Sequence, residues 1–130
     1  MWNWLVASLA TEATIVLFDG SPFYPEPKSL IDMAEQESIS IFGTSAKYIA
    51  ALEKAHVVPR ETHNLPALKA ILSTGSPLSH ESFQYVYRDI KADLCLSSIS
   101  GGTDILSCFV LGNPAGTSPS FRPPSDHLYR

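Results

Sequence analysis

Four short apolar runs, Ala13–Phe18, Ser38–Phe42, Leu68–Ser73 and Asp93–Ser98, are spaced so that a stretch of helical period fits between each and the next. Their near-continuous apolarity suits strands buried on both faces. Between them Tyr48, Ala51, Leu52 and Ala55 recur at i, i+3, i+4 and i+7, as do Phe83, Val86, Tyr87 and Ile90, so each segment offers one apolar stripe to a sheet. A third helix is expected over Lys28–Glu37, with Pro27 in its first turn and Leu30, Ile31, Met33 and Ala34 on its buried side. A helix from Trp2 to about Thr11 would cover the first strand, with Trp2 and Trp4 in the core. The order is α-β-α-β-α-β-α-β. This predicts an α/β fold of alternating helices and mostly parallel strands joined by right-handed crossovers, with ligand-binding loops at the carboxyl ends of the strands.

A further apolar run, Ile105–Leu111, follows the last of these strands and is a candidate for one more. Beyond Gly112 the character changes. Residues 113–130 hold four of the ten prolines and neither apolar period, so residues 1–112 read as the folded part and 113–130 as a flexible, Pro/Ser-rich tail. With 130 residues, 45% hydrophobic and 17% charged, the chain has the size and apolar content to bury one core. A net charge of −4 without a Lys/Arg cluster argues against nucleic acid as a partner. Cys95 and Cys108 have no metal-ligand spacing and read as buried free thiols of a reducing compartment. No run is long enough to span a bilayer and no basic segment precedes the first apolar one, which predicts a cytoplasmic protein.

Two glycine-bearing loops fall at predicted strand ends: Leu72–Leu78 (LSTGSPL) and Ser98–Ile105 (SISGGTDI). Glycine lets a ligand approach the main chain, hydroxyls can meet phosphate oxygens, and the Asp104 carboxylate suits magnesium, which takes one or two such groups plus phosphate oxygens. Taken alone, each loop is better explained structurally. Gly101-Gly102-Thr103-Asp104 satisfies a turn, and Ser79 is an N-cap for the helix after Pro77. Thr44 likewise reads as a cap that opens the helix after Gly43. His56, His63, His80 and His127 show neither metal spacing nor an acidic partner and read as solvated, and Ser73 and Ser76 lack the Gly-x-Ser-x-Gly elbow of a serine hydrolase.

Read together, Met1–Val6, Ala13–Pro22, Ile41–Tyr48, Leu72–Leu78 and Ser98–Ile105 resemble the adenylate-forming acyl-CoA synthetases, in unbroken order from Met1 to Pro114. The resemblance implies part of the large N-terminal domain of such an enzyme, which uses ATP and magnesium to convert a carboxylate to an acyl-adenylate that coenzyme A then attacks. It implies that Gly75, Ser76 and Pro77 pack against adenine and ribose. Ser98, Ile99, Ser100, Gly101 and Gly102 form the opposite wall, and Thr103 meets the α-phosphate. Asp104 stands where the family carries a magnesium-linked glutamate, one methylene longer. Acetate-specific relatives have tryptophans where this chain has Ser100 and Gly101. The smaller residues imply a deeper acyl pocket, with Thr44, Ser45, Thr74 and Gly101 on its wall and a longer acid such as acetoacetate as substrate.

Other parts of the family's apparatus are not found in these residues: the Ser/Thr/Gly-rich phosphate loop, the ribose-holding aspartate, the hinge and the catalytic lysine. An internal fragment inactive by itself is therefore expected. The alternative is a non-catalytic module that binds nucleotide, or that associates with other chains through uncovered apolar surface.

Overall fold

The computed structural model describes residues 2–102, 104–105 and 107–112, with side chains from residue 5 onward. The expectations for Thr103, His127, the tail 113–130 and the side chains of Trp2 and Trp4 fall outside the described residues.

Three strands, β1 (Ile41–Ser45), β2 (Ala70–Thr74) and β3 (Cys95–Ser98), form a parallel sheet in that order. The expected α/β alternation holds from α2 (Ser29–Gln36) through α3 (Ala46–Lys54), the single turn α4 (Pro59–Thr62) and α5 (His80–Tyr85). A π-helical turn, Val86–Ile90, continues α5 and closes with the Lys91 amide donating to the Val86 carbonyl at 2.9 Å. A first helix, α1 (Trp2–Ser8), runs into a short 3-10 turn. A two-stranded antiparallel ribbon, β4 (Ser100–Gly101) with β5 (Cys108–Val110), follows the sheet, so the run Ile105–Leu111 does contribute a strand.

The core lies between one face of the sheet and its helices. Phe42, Ile71 and Leu96 are register partners across all three strands, and each is at least nine-tenths buried. Ile31 and Ala34 of α2, Tyr48, Ile49 and Leu52 of α3, and Tyr85 and Val86 complete the same cluster. Burial of this apolar surface is the main stabilising term. Two buried tyrosines place their hydroxyls on carbonyls. Tyr48 donates to Pro27 at 3.2 Å and Tyr85 to Val57 at 2.7 Å, so each ring fills the core while its polar tip is satisfied. Burial raises both phenols well above their usual range, with nearby carboxylates adding to the effect.

The first expected strand is not one. Residues 13–18 pair with no other described segment, and Val16, Leu17 and Phe18 are 40%, 60% and 44% exposed. A strand exists only by exchanging hydrogen bonds with a neighbour, and this run has none although the outer edge of β1 is open. α2 and α3 close through left-handed residues, Ser38 and His56, where glycine is usual. The amides of Ile39 and Val57 reach back to the carbonyls of Ala34 and Leu52. Ser38, placed by the sequence in the second strand, belongs instead to this helix closure. Cys95 and Cys108 are free but half-buried rather than buried. Among the described residues, no helix is long and apolar enough to cross a membrane.

Candidate functional site

Parallel pairing brings the carboxyl ends of all three strands to one edge, and the loops singled out in the sequence lie there. Ser45 and Thr74 are register partners, as are Thr44 and Ser73, and Ser73 and Ser98. Since side chains alternate along a strand, Thr44, Ser73 and Ser98 form one row on the core face beyond Phe42, Ile71 and Leu96. Ser45 and Thr74 share the opposite face.

The two glycine loops are tied together. The Ile99 amide donates to the Ser73 carbonyl at 2.7 Å, extending the β2–β3 ladder past its last residue. The Leu78 amide donates to the Ser98 hydroxyl at 3.2 Å, so the start of the second loop holds the end of the first. Leu78 is buried, while Gly75, Ser76 and Pro77 are exposed beside it.

Gly75 has φ +90°, a conformation that side-chain-bearing residues rarely adopt, and a Cβ built on it would meet nothing within 4 Å. The turn needs glycine for its backbone, and the space above is open. Gly101 differs. A Cβ there would stand 2.7 Å from the Ser107 carbonyl oxygen and 3.0 Å from the Cys108 Cα, so this glycine admits the β5 backbone. At Gly102 only an Ile105 side-chain atom, at 3.9 Å, comes near. Ser100 and Asp104 are exposed.

Several hydroxyls at this edge already serve the fold. Ser45, not Thr44, caps α3, its oxygen accepting from the Tyr48 amide at 3.1 Å. Ser79 caps α5 as expected, accepting from the Ser82 amide at 3.2 Å. The Glu81 backbone amide, and after it the Ser79 hydroxyl, hold the exposed Glu81 carboxyl below the usual range. Ser73 stands apart. It is wholly buried and its hydroxyl has no hydrogen-bond partner, a feature that sequence alone does not reveal because it depends on what faces the residue.

No group of three or more His, Cys, Asp or Glu side chains that could hold a metal is found among the described residues. Asp104 is a single exposed carboxylate. That is compatible with magnesium only where phosphate oxygens and water complete the octahedron. Gly75 and Gly102, with room above their Cα atoms, are compatible with a flat ligand lying on the main chain.

No family model matches the chain. It is homologous to acetoacetyl-CoA synthetases over one stretch of their length. The similarity to that of Rhizobium meliloti is 58% identity over 114 residues, 88% of this chain and 18% of the relative. To that of Gallus gallus it is 56% over 110 residues, 85% of this chain and 16% of the relative. The solved acetoacetyl-CoA synthetase from Streptomyces lividans superposes with a TM-score of 0.80 at 42% identity, covering 87% of this chain and 18% of that one. The chain thus spans less than a fifth of the length of the relatives it matches.

Proposed function

We infer that this chain is a stretch of an acetoacetate-CoA ligase, carrying two walls of an acyl-adenylate site without the groups that complete the reaction. The observation that carries the reading is the 58% identity over 114 residues, taken with both glycine loops meeting at the carboxyl edge of the sheet. In the full reaction a carboxylate oxygen of the acid attacks the α-phosphorus of ATP and expels pyrophosphate. The thiol of coenzyme A then attacks the acyl carbon, and AMP leaves. Magnesium, when bound, offsets charge on the phosphates.

In this reading Gly75, Ser76 and Pro77 bound the adenine side, and Ser98, Ile99, Ser100, Gly101 and Gly102 the facing wall. Thr103 serves the α-phosphate and Asp104 the magnesium shell. Thr44, Ser45, Thr74 and Gly101 line the acyl end, where the Ser45 oxygen is already engaged as a helix cap. Residues 1–112 are the partial AMP-binding domain and 113–130 a divergent tail. The setting is cytosolic, with ketone-body carbon entering lipid synthesis. Electrostatic stabilisation of the displaced pyrophosphate needs pre-placed cationic or amide donors, and the phosphate loop and lysine that supply them are not found in these residues. The chain alone is therefore expected to be inactive. The second reading, a non-catalytic nucleotide-binding or interaction module, draws on the exposed Val16, Leu17, Phe18, Ile41 and Phe109, which favour self-association.

The test combines calorimetric titration of the chain with AMP and with ATP-magnesium and a pyrophosphate-release assay in the presence of acetoacetate. Nucleotide binding that is weakened by Gly75→Val, with no pyrophosphate, is the expected result. Turnover would overturn the inactivity. Absence of any nucleotide binding would remove the adenylate-site walls from this chain's own repertoire.

A further inference from the structure

The opposite end of the sheet carries a feature that the ligase reading does not use. The segments entering β2 and β3 enclose an open cleft of about 420 Å³ lined by Arg60, His63, Asn64, Ile90, Lys91 and Asp93, among others. Lys91 lies at its floor. Its side chain is only 18% exposed, and its ammonium donates to the carbonyls of Leu65 at 2.8 Å and Leu68 at 2.7 Å, with Pro66 at 3.5 Å. Carbonyl dipoles hold the group in place but leave its charge uncancelled. The nearest carboxylate, Asp93, is 3.8 Å away and 81% exposed, a solvated pairing of small energetic weight.

The other acidic groups nearby are committed elsewhere. Asp32 Oδ1 lies 2.7 Å from His63 Nε2, and because a carboxylate can only accept, that nitrogen carries a proton. His63 Nδ1 meets the Thr62 hydroxyl at 2.7 Å, so both ring nitrogens are occupied, and the side chain is 3% exposed rather than solvated. Glu35 accepts from the Asn64 amide at 2.5 Å. Asp89 is held by Arg88 through two bonds, of 2.8 and 2.6 Å. These pairings fix the loop that presents Asn64. The cleft's own lining holds two cations, Arg60 and Lys91, and one exposed carboxylate, Asp93, with the charges of Asp32 and Glu35 held outside the lining on His63 and the Asn64 amide. Arg60 uses one of its five donors, to the Arg88 carbonyl at 3.4 Å, and its remaining fork suits an oxyanion.

We propose that this cleft is an oxyanion site for a phosphate group, with the Arg60 guanidinium and the Asn64 side-chain amide as its direct donors and the Lys91 charge as its floor. The proposal does not rest on the ligase reading, since it lies at the amino ends of the strands and uses none of the glycine-loop residues.

The experiment is an amide-resolved NMR titration of the chain with inorganic phosphate, ionic strength being held constant with sodium chloride. Saturable shifts at Asn64, Lys91 and Ala92, with Gly75 and Gly102 unmoved, are expected, and Arg60→Gln should weaken binding about tenfold, as loss of one charge-assisted hydrogen bond implies. Arg60 is exposed, so the variant leaves the core untouched. Shifts reproduced by chloride alone, shifts that do not saturate, or an Arg60→Gln variant of unchanged affinity would each overturn the proposal. A parallel titration with AMP separates the sources. AMP moving the same amides assigns the site to phosphate monoesters, and AMP leaving them still while phosphate moves them assigns it to the free anion.

Discussion

At the carboxyl ends of the strands the polar groups are short hydroxyls and main-chain amides on exposed glycine turns, whereas at the amino ends they are full charges fastened to carbonyls and to one another. The hydroxyls of Ser45, Ser79 and Ser98 each accept one backbone amide, and the ligand-facing surface beyond them is left to Gly75 and Gly102. The ammonium of Lys91 instead gathers carbonyls of a single incoming loop, and two carboxylates of α2 grip the residues just before it. One end is open surface shaped by backbone conformation. The other is a tied loop shaped by charge. Mutations should therefore be felt differently at the two ends, in the fold at the amino end and in backbone geometry at the carboxyl end.

The largest effect is expected at Lys91. Lys91→Met keeps the stem but removes the donors that satisfy the Leu65 and Leu68 carbonyls, which at this depth should cost about 2–3 kcal/mol. Urea denaturation followed by circular dichroism should register a midpoint lower by roughly 1 M, given the slopes usual for small domains. A midpoint unchanged from the parent chain would mean that the loop before β2 is held by packing of Leu65 and Leu68 alone, and the contrast between the two ends would fail.

A smaller effect is expected at the carboxyl edge. Gly75→Ala places a methyl group in open space, so the cost is that of the left-handed backbone alone, about 1–2 kcal/mol. Ser79→Ala removes a helix cap and should cost about 1 kcal/mol. If the two losses add in the double variant, loop conformation and cap act separately. If the double variant loses no more than Gly75→Ala, the turn already carries the cap with it.

What the sequence makes legible follows from the range of the interactions involved. Apolar period located β2, β3, α2 and α3 because each depends on a pattern within a few residues, and the glycine loops were found because strand ends announce themselves by breakers. The run 13–18 has the composition of a strand, yet a strand is a relation between two segments, and composition describes only one. The ends of α2 and α3 were obscured because Ser38 and His56 take a conformation that glycine usually signals. His63 and Asp32 stand 31 positions apart, and no spacing rule connects them. The sequence points to Thr44 as the cap of α3, one residue before Ser45, which performs it. Both side chains can perform it, and the choice is set by where β1 ends.

The smallest expected change is at Ser73, and it tests the contrast from the other side. The hydroxyls of Ser45, Ser79 and Ser98 at this edge each have a task, and those of Ser76 and Ser100 are exposed to water, but Ser73 is buried between Thr44 and Ser98 without a partner. A buried hydroxyl that makes no hydrogen bond has lost its water and gained nothing in exchange, a penalty of about 1–3 kcal/mol in mutational terms. Ser73→Ala removes one oxygen and leaves the Cβ in place. The relieved desolvation opposes a cavity too small to accept water, so stability should be unchanged or raised by up to about 1 kcal/mol. Thermal unfolding beside Ser79→Ala provides the comparison, because the same chemical change at a working hydroxyl should lower the midpoint. A loss at Ser73→Ala as large as that at Ser79→Ala would show that the Ser73 hydroxyl has a partner in solution, and that the core-facing row at the carboxyl edge is held by hydrogen bonds as firmly as the amino end is held by charge.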